Sequence, residues 1–440
     1  MRDFATSDDP EVQRELDRLA ALTLPQGRFG LETIREILKR IGDPQKHLPP
    51  TFHVAGTNGK GSTCTYLRYM LEAQGLTVHT ATKPHLVRYN ERIRLAGRLI
   101  GDQLLAALLK EVLDASEDLG PSFFEVTTAA TFLAFSRIPA DVCVIEVGLG
   151  GRFDATNVLE NPVACGIASL GIDHEAFLLR EDPGAPAHPL ARIAFEKAHI
   201  ARAGAPLVTM SYPPEATAQV IRLAKEARTN VAMRGQEWSV HVDDKLHYRD
   251  AAGDLELPLP TLYGKHQGEN AALAVAMLRH QNVVAVTPEA MAQGIVNARW
   301  PARLQALRKG PITALVPGAE FILDGGHNPD AAQAIARALA GRSGLALVMG
   351  MMANRPISEF LEPIAPMIAQ IRTVPISGHD CHSPEDIAAA AKALGIADAA
   401  PAQTVQDALA SFTPGAHTVL IAGSLYLAGV VLEANAEVPD

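Results

Sequence analysis

The sequence predicts an α/β protein, with a mostly parallel, helix-covered sheet in a first domain and a smaller α/β domain after it. Three observations predict this. Strand-like and helix-like segments alternate along most of the chain, as crossover helices between parallel strands require. An apolar run at 52–55 opens into the glycine-rich turn Gly56-Thr57-Asn58-Gly59-Lys60-Gly61-Ser62, and an amphipathic run follows. The alternation restarts after Trp300-Pro301-Ala302-Arg303. A boundary near residue 298 divides the chain into 1–297 and 298–440.

Residues 52–55 read as the first strand, followed by a helix to Gly75 and a second strand at 77–81. Residues 104–113 and 127–135 carry helical spacing. The β-branched run at 142–147 reads as a buried strand, and 163–168 as another. A helix is expected over 190–203. Between 238 and 259 short alternating segments meet polar turns at Asp243-Asp244 and Gly253-Asp254, which predicts a small antiparallel excursion. Helix returns at 270–278, and Thr287-Pro288-Glu289 starts the next one with a threonine cap and a first-turn proline. In the second domain strands are expected at 321–323, 345–349, 371–374 and 418–422, with helices between them. Ser383-Pro384-Glu385-Asp386 is a capping signature for one of these helices.

Composition narrows the function classes. With 440 residues, 48% hydrophobic and 20% charged, the chain is an ordinary globular one. A net charge of -10 argues against a nucleic-acid partner. No apolar run is long enough to span a membrane, and Met1-Arg2-Asp3-Phe4 lacks the pattern of a signal peptide. The four cysteines lie far apart and fit no metal spacing. Buried free thiols in a reducing cytoplasm are expected.

The turn 56–62 has the layout of a phosphate-binding loop. Its glycines let backbone N–H groups approach a polyphosphate, the helix start favours negative charge, and Lys60 adds a point charge. Gly61 separates Lys60 from Ser62, so the loop is not the common Walker form. Glu146 ends the strand before Gly148-Leu149-Gly150-Gly151-Arg152-Phe153-Asp154-Ala155. A carboxylate there could hold a nucleotide-bound Mg²⁺, or simply cap the strand and pair with Arg152. His174 follows the strand at 163–168, on the edge where such sheets bind ligands. Glu196-Lys197 on a helix reads as a solvated face. Asp324-Gly325-Gly326-His327-Asn328-Pro329 stands between strand and helix, placed to bond a sugar or phosphate or to form a capping loop.

Together these motifs resemble one family, the dihydrofolate synthase/folylpolyglutamate synthase enzymes of the wider group of Mur-type amide ligases. The matching runs are 56–62, Pro84-His85-Leu86-Val87-Arg88-Tyr89-Asn90-Glu91-Arg92, Phe123-Phe124-Glu125, 146–157, Asp173-His174, Glu196-Lys197-Ala198, Ala302-Arg303, 324–329 and Gly423-Ser424. They occur in the family's order and cover nearly the whole chain.

The resemblance implies a P-loop Mur-ligase-like central domain and a smaller Rossmann-like C-terminal domain. It implies ATP-dependent joining of L-glutamate to dihydropteroate or folate through an acyl phosphate, by a cytoplasmic monomer. Lys60 and the loop Gly56, Thr57, Asn58, Gly59, Gly61 and Ser62 would hold the ATP phosphates, with Glu146 and His174 as Mg²⁺ ligands. Lys197 matches a carbamylated lysine. Asn270, Arg303, Asp324 and His327 match positions that hold ATP across an interdomain cleft. Phe29, Gly30, Phe123, Phe124, Glu125, Phe153, Asp154 and Ala155 fall on the acid-binding side.

The chain departs from the family pattern in four places. Lys83 stands where a Mg²⁺-ligating serine is usual, and Arg28 where an aspartate is usual. The segment from His174 to Lys197 is longer, and Asn354-Arg355-Pro356 replaces an acidic–lysine–acidic run. A Mur-type ligase acting on another carboxylate and a degenerate nucleotide-binding protein are the alternatives these changes leave open.

Overall fold

The computed structural model describes residues 6–22, 30–172, 178–179, 182, 184–412 and 418–439. The chain divides into two compact units, Met1–Thr261 with Gln267–Ala298, and Leu262–His266 with Arg299–Asp440.

The first unit is built on an eight-stranded sheet. Its strands are β1 (Thr51–Ala55), β2 (Val78–Ala81), β3 (Ile93–Leu95), β4 (Arg98–Leu99), β5 (Val142–Glu146), β6 (Ala164–Ile167), β7 (Leu207–Thr209) and β8 (Val231–Met233). Their order is β4-β3-β2-β5-β1-β6-β7-β8. All pairings are parallel except those of β3 and β4 at one edge. Every residue of β1 and β5 is buried, because helices cover both faces; this is why these strands read as continuous apolar runs. In the register Val54 lies opposite both Glu146 and Gly166. The segments leaving β1, β5 and β6 therefore start side by side on one edge.

The antiparallel excursion is present as β9 (Trp238–Val242), β10 (Leu246–Asp250) and β11 (Gly253–Leu257). Its second turn falls at Ala251-Ala252, not at Gly253-Asp254. Asp254 sits within the ladder opposite Arg249, which donates to both its oxygens at 2.7 and 2.6 Å. The helix expected over 190–203 is Pro189–Ala198. Beyond it the Arg202 guanidinium donates to the carbonyls of His199 and Ala201, and to Leu159 and Asn157, so those carbonyls are satisfied without further helix.

The second unit carries a six-stranded sheet of β12 (Gln305–Ala306), β13 (Glu320–Leu323), β14 (Leu345–Met349), β15 (Ile368–Thr373), β16 (Asp398–Pro401) and β17 (Thr418–Ala422). The order is β12-β13-β17-β14-β15-β16, parallel except for β12. Ser383 caps the helix Pro384–Ala393, accepting from the Asp386 N–H. Cys64, Cys143 and Cys165 are buried free thiols and Cys381 is half-buried. Among the described residues no helix is long and apolar enough to cross a membrane.

Candidate functional site

The loop after β1 is shaped by backbone and by one neighbour. Thr57 N–H donates to Ser169 O at 2.7 Å, and its hydroxyl donates to Gly171 O and accepts from Gly171 N–H. Ser169 Oγ donates to Asn58 O. The segment leaving β6 thus braces the loop from one side. Gly59 holds φ +85° at the start of the helix Lys60–Ala73, and a Cβ there would press into the Asn270 amide. Lys60 Nζ folds back on the loop, donating to the carbonyls of Gly56 and Thr57 at 3.0 Å each. Ser62, in the first turn, is buried.

Glu146 is 3% exposed at the end of β5 and accepts the Lys83 backbone N–H at 2.9 Å. Its charge and that of Lys60 both act on the buried Cys64 thiol, which burial, the largest effect, pushes up. The two groups therefore share one neighbourhood. A carboxylate at the buried end of a strand beside the phosphate loop is a hard oxygen donor, and Glu146 fits a Mg²⁺ ligand. Its suggested partner Arg152 instead lies 2.5 Å from Asp182 and 3.6 Å from Glu196. His174, Phe29 and Arg28 lie outside the described residues.

The loop after β5 is held by its own polar groups. Asp154 accepts from the N–H groups of Gly148 and Leu149 with one oxygen, and from the Thr156 N–H and hydroxyl with the other, at 2.6–3.0 Å. Burial would raise its pKa, but Lys83 and these bonds hold it below the usual carboxylate range. Thr156 spends its hydroxyl proton on Asp154, so His53 Nε2, 2.8 Å away, is the donor to Thr156 Oγ1. Burial lowers the pKa of His53 to about 3, which keeps the ring neutral. Ala155 is buried at the start of the same turn, whereas Phe153 is 38% exposed beneath the Arg152 guanidinium.

Lys197 is 4% exposed, and Glu196 is buried beside it. The solvated face expected here is absent, because the loop after β5 docks on this helix end. Arg152 N–H donates to Glu196 O at 2.8 Å, and a Cβ on Gly151 would lie 2.7 Å from that oxygen and 3.0 Å from Lys197 Cα. Arg152 and Arg192 together face Asp182 and Glu196.

Phe123 and Phe124 begin the helix Phe123–Arg137 with their rings 5.3 Å apart, edge to face, and Tyr89 stands 6.1 Å from Phe123. Glu125 is committed to a capping box, accepting from Ser122 N–H and Oγ at 2.8 Å. Gly30 is half-buried just ahead of the helix Glu32–Arg40. Asn270 is buried on the helix Lys265–Arg279. Lys83 is half-buried beside Asp154 and Glu146; burial, the largest effect, lowers its pKa, with Arg92 adding to that and the two carboxylates opposing it.

In the second unit Asp324 directly follows β13. Its oxygens accept from Leu304 N–H at 2.8 Å and Gly326 N–H at 2.6 Å. Burial raises its pKa and Arg303 opposes that. Ala302 and Leu304 both hold positive φ, +54° and +46°, so Asp324 fixes a strained segment that carries Arg303. His327 Nδ1 bonds Gly325 O, and Asn328 caps the helix Pro329–Ala338.

Residues 308–425 match the family described as Mur ligase, glutamate ligase domain. Over 353 residues the chain is 33% identical to the dihydrofolate synthase/folylpolyglutamate synthase of Bacillus subtilis, covering 76% of this chain and 78% of that one. The chain belongs to the dihydrofolate synthase/folylpolyglutamate synthase family. It is an ATP-dependent ligase that joins L-glutamate to a dihydropteroate or folate acid and works with a divalent cation. Two solved structures share the fold. Escherichia coli FolC in complex with DHPP and ADP is 29% identical with TM-score 0.84, covering 98% of both chains. The bifunctional Yersinia pestis enzyme with AMPPNP and Mn is 27% identical with TM-score 0.82, covering 96% of this chain and 97% of that one.

Proposed function

We propose that the edge formed by the loops after β1, β5 and β6 activates the acid and that the following residues carry the reaction. Lys60 and the loop 56–62, through N–H groups other than that of Thr57, hold the ATP phosphates. Glu146, with His174, holds Mg²⁺, which when bound neutralises phosphate charge and polarises the γ-phosphoryl group. A carboxylate oxygen of the acid attacks the γ-phosphorus; the new O–P bond forms as the bond to ADP breaks. The amine of L-glutamate, having lost a proton, then attacks the acyl carbon. The C–N bond forms, the C–O bond breaks, and phosphate leaves carrying the amine's second proton.

Lys197, as a carbamate, orders the metal site; its burial against Gly151 supports a positioned rather than a solvated lysine. Asn270, Arg303, Asp324 and His327 bind the nucleotide. Phe123, Phe124 and Phe153 receive the flat ring of the acid, with Phe29 and Gly30. Glu125, Asp154 and Ala155 serve that side by holding the backbone that carries the rings. We also infer a cytoplasmic monomer, the free buried thiols being suited to a reducing compartment.

The observation that carries this reading is the register that sets the phosphate loop and Glu146 on adjacent strand ends. Phosphate release with ATP, Mg²⁺ and L-glutamate tests it. Release should depend on added dihydropteroate or tetrahydrofolate; release that ignores both would contradict the reading.

A further inference from the structure

Lys83 is a cation at this edge to which the roles above give no task. It follows β2, and its backbone N–H bond to Glu146 fixes its position. Its side chain runs across Gly148, where a Cβ would lie 3.3 Å from Lys83 Cδ and 3.7 Å from Nζ. Among the described residues its ammonium makes one hydrogen bond, a long one of 3.5 Å to Thr128 Oγ1 on the helix Phe123–Arg137. An ammonium has three donors, so most of its capacity is uncommitted. Asp154 does not need it as a donor, since its oxygens already accept four hydrogen bonds. Lys60 differs, being bound to two loop carbonyls.

Lys83 touches three elements of this edge. Its side chain meets the helix Phe123–Arg137 at Thr128 and the loop that carries Phe153 at Gly148, while its backbone N–H meets Glu146. We propose that Lys83 Nζ binds the reacting carboxylate of the acid and holds it against the γ-phosphate, an inference that rests on the ligase reading above. The first step brings two anions into contact, and their repulsion rises as they approach. A fixed ammonium at the carboxylate offsets that repulsion without having to reorganise. Lys83 forms no covalent bond and transfers no proton; its N–H groups keep their hold on the acyl oxygen as the O–P bond forms.

Lys83→Met and Lys83→Arg test this in the full-length protein. Calorimetry without ATP or Mg²⁺ would measure binding of dihydropteroate and of its methyl ester, which lacks the charge. Lys83→Met should weaken dihydropteroate ~10- to 100-fold. It should leave the ester and ATP at wild-type affinity. Lys83→Arg should weaken dihydropteroate less than Lys83→Met does, because the charge stays although the donor geometry differs. Unchanged dihydropteroate binding in Lys83→Met would overturn the assignment, as would a loss confined to ATP. If Lys83→Met does not fold, wild-type protein still decides: equal affinity for the acid and its ester contradicts the inference. Wild-type turnover that ignores dihydropteroate and folate sinks the ligase reading itself, whereas normal turnover with an unaffected variant sinks only Lys83.

Discussion

The loops that leave β1 and β5 begin on adjacent strands of one sheet and are built in opposite ways. The first is braced from a neighbouring segment: Thr57 bonds Ser169 and Gly171, and its lysine rests on two of its own carbonyls. The second is filled with internal bonds: Asp154 gathers four donors, His53 supports it from beneath, and Arg152 ties it to the helix of Lys197. The difference separates two tasks. A loop that must wrap a polyphosphate is braced from a neighbouring segment, and a loop that must hold other groups in register satisfies its own.

Lys60→Ala should break the contrast most strongly. Removing the point charge from the phosphate loop is expected to cut turnover ~10²- to 10³-fold with folding unchanged, as phosphate-release rates and thermal melting would reveal. Arg192→Met comes next, because it leaves Glu196 buried with one charge partner fewer. Unfolding free energy should fall by about 3 kcal/mol, measured by urea titration. Asp154→Asn keeps the shape of the side chain but not its charge, and should cost about 2 kcal/mol together with a drop in kcat.

A pH-dependent effect concerns His53. Its folded pKa, lowered to about 3 by burial, lies below the ordinary 6.5, so below pH 6.5 the unfolded chain takes up a proton that the folded one refuses. Stability should then fall as pH drops from 6.5 toward 3, by up to about 1.4 kcal/mol per pH unit. In His53→Gln that share of the slope should vanish; urea titrations at pH 7 and pH 5 showing parallel losses would contradict it.

Much of the fold was readable because buried parallel strands are unbroken apolar runs. The edges were not. β7 and β8 have three residues each, and β16 carries Asp398 and Pro401, so none rises above its surroundings. The N-terminal helix Pro10–Ala20 did leave a signal: Asp9 caps it, Pro10 follows, and Val12, Leu16 and Leu19 share a face. At the site, the phosphate loop is a local motif and could be seen in one stretch of sequence. The burial of Glu196 and Lys197 could not, since it is imposed by Gly151, more than forty residues earlier. The same holds for the strain at Ala302 and Leu304, which depends on an aspartate that directly follows another strand.

The division of labour between the two loops is tested most directly by titrating ATP into Lys60→Ala and Asp154→Asn side by side. ATP affinity should fall ~10-fold or more in Lys60→Ala and stay at the wild-type level in Asp154→Asn, whose turnover nonetheless drops. Equal weakening of ATP in both variants, or none in Lys60→Ala, would contradict the account.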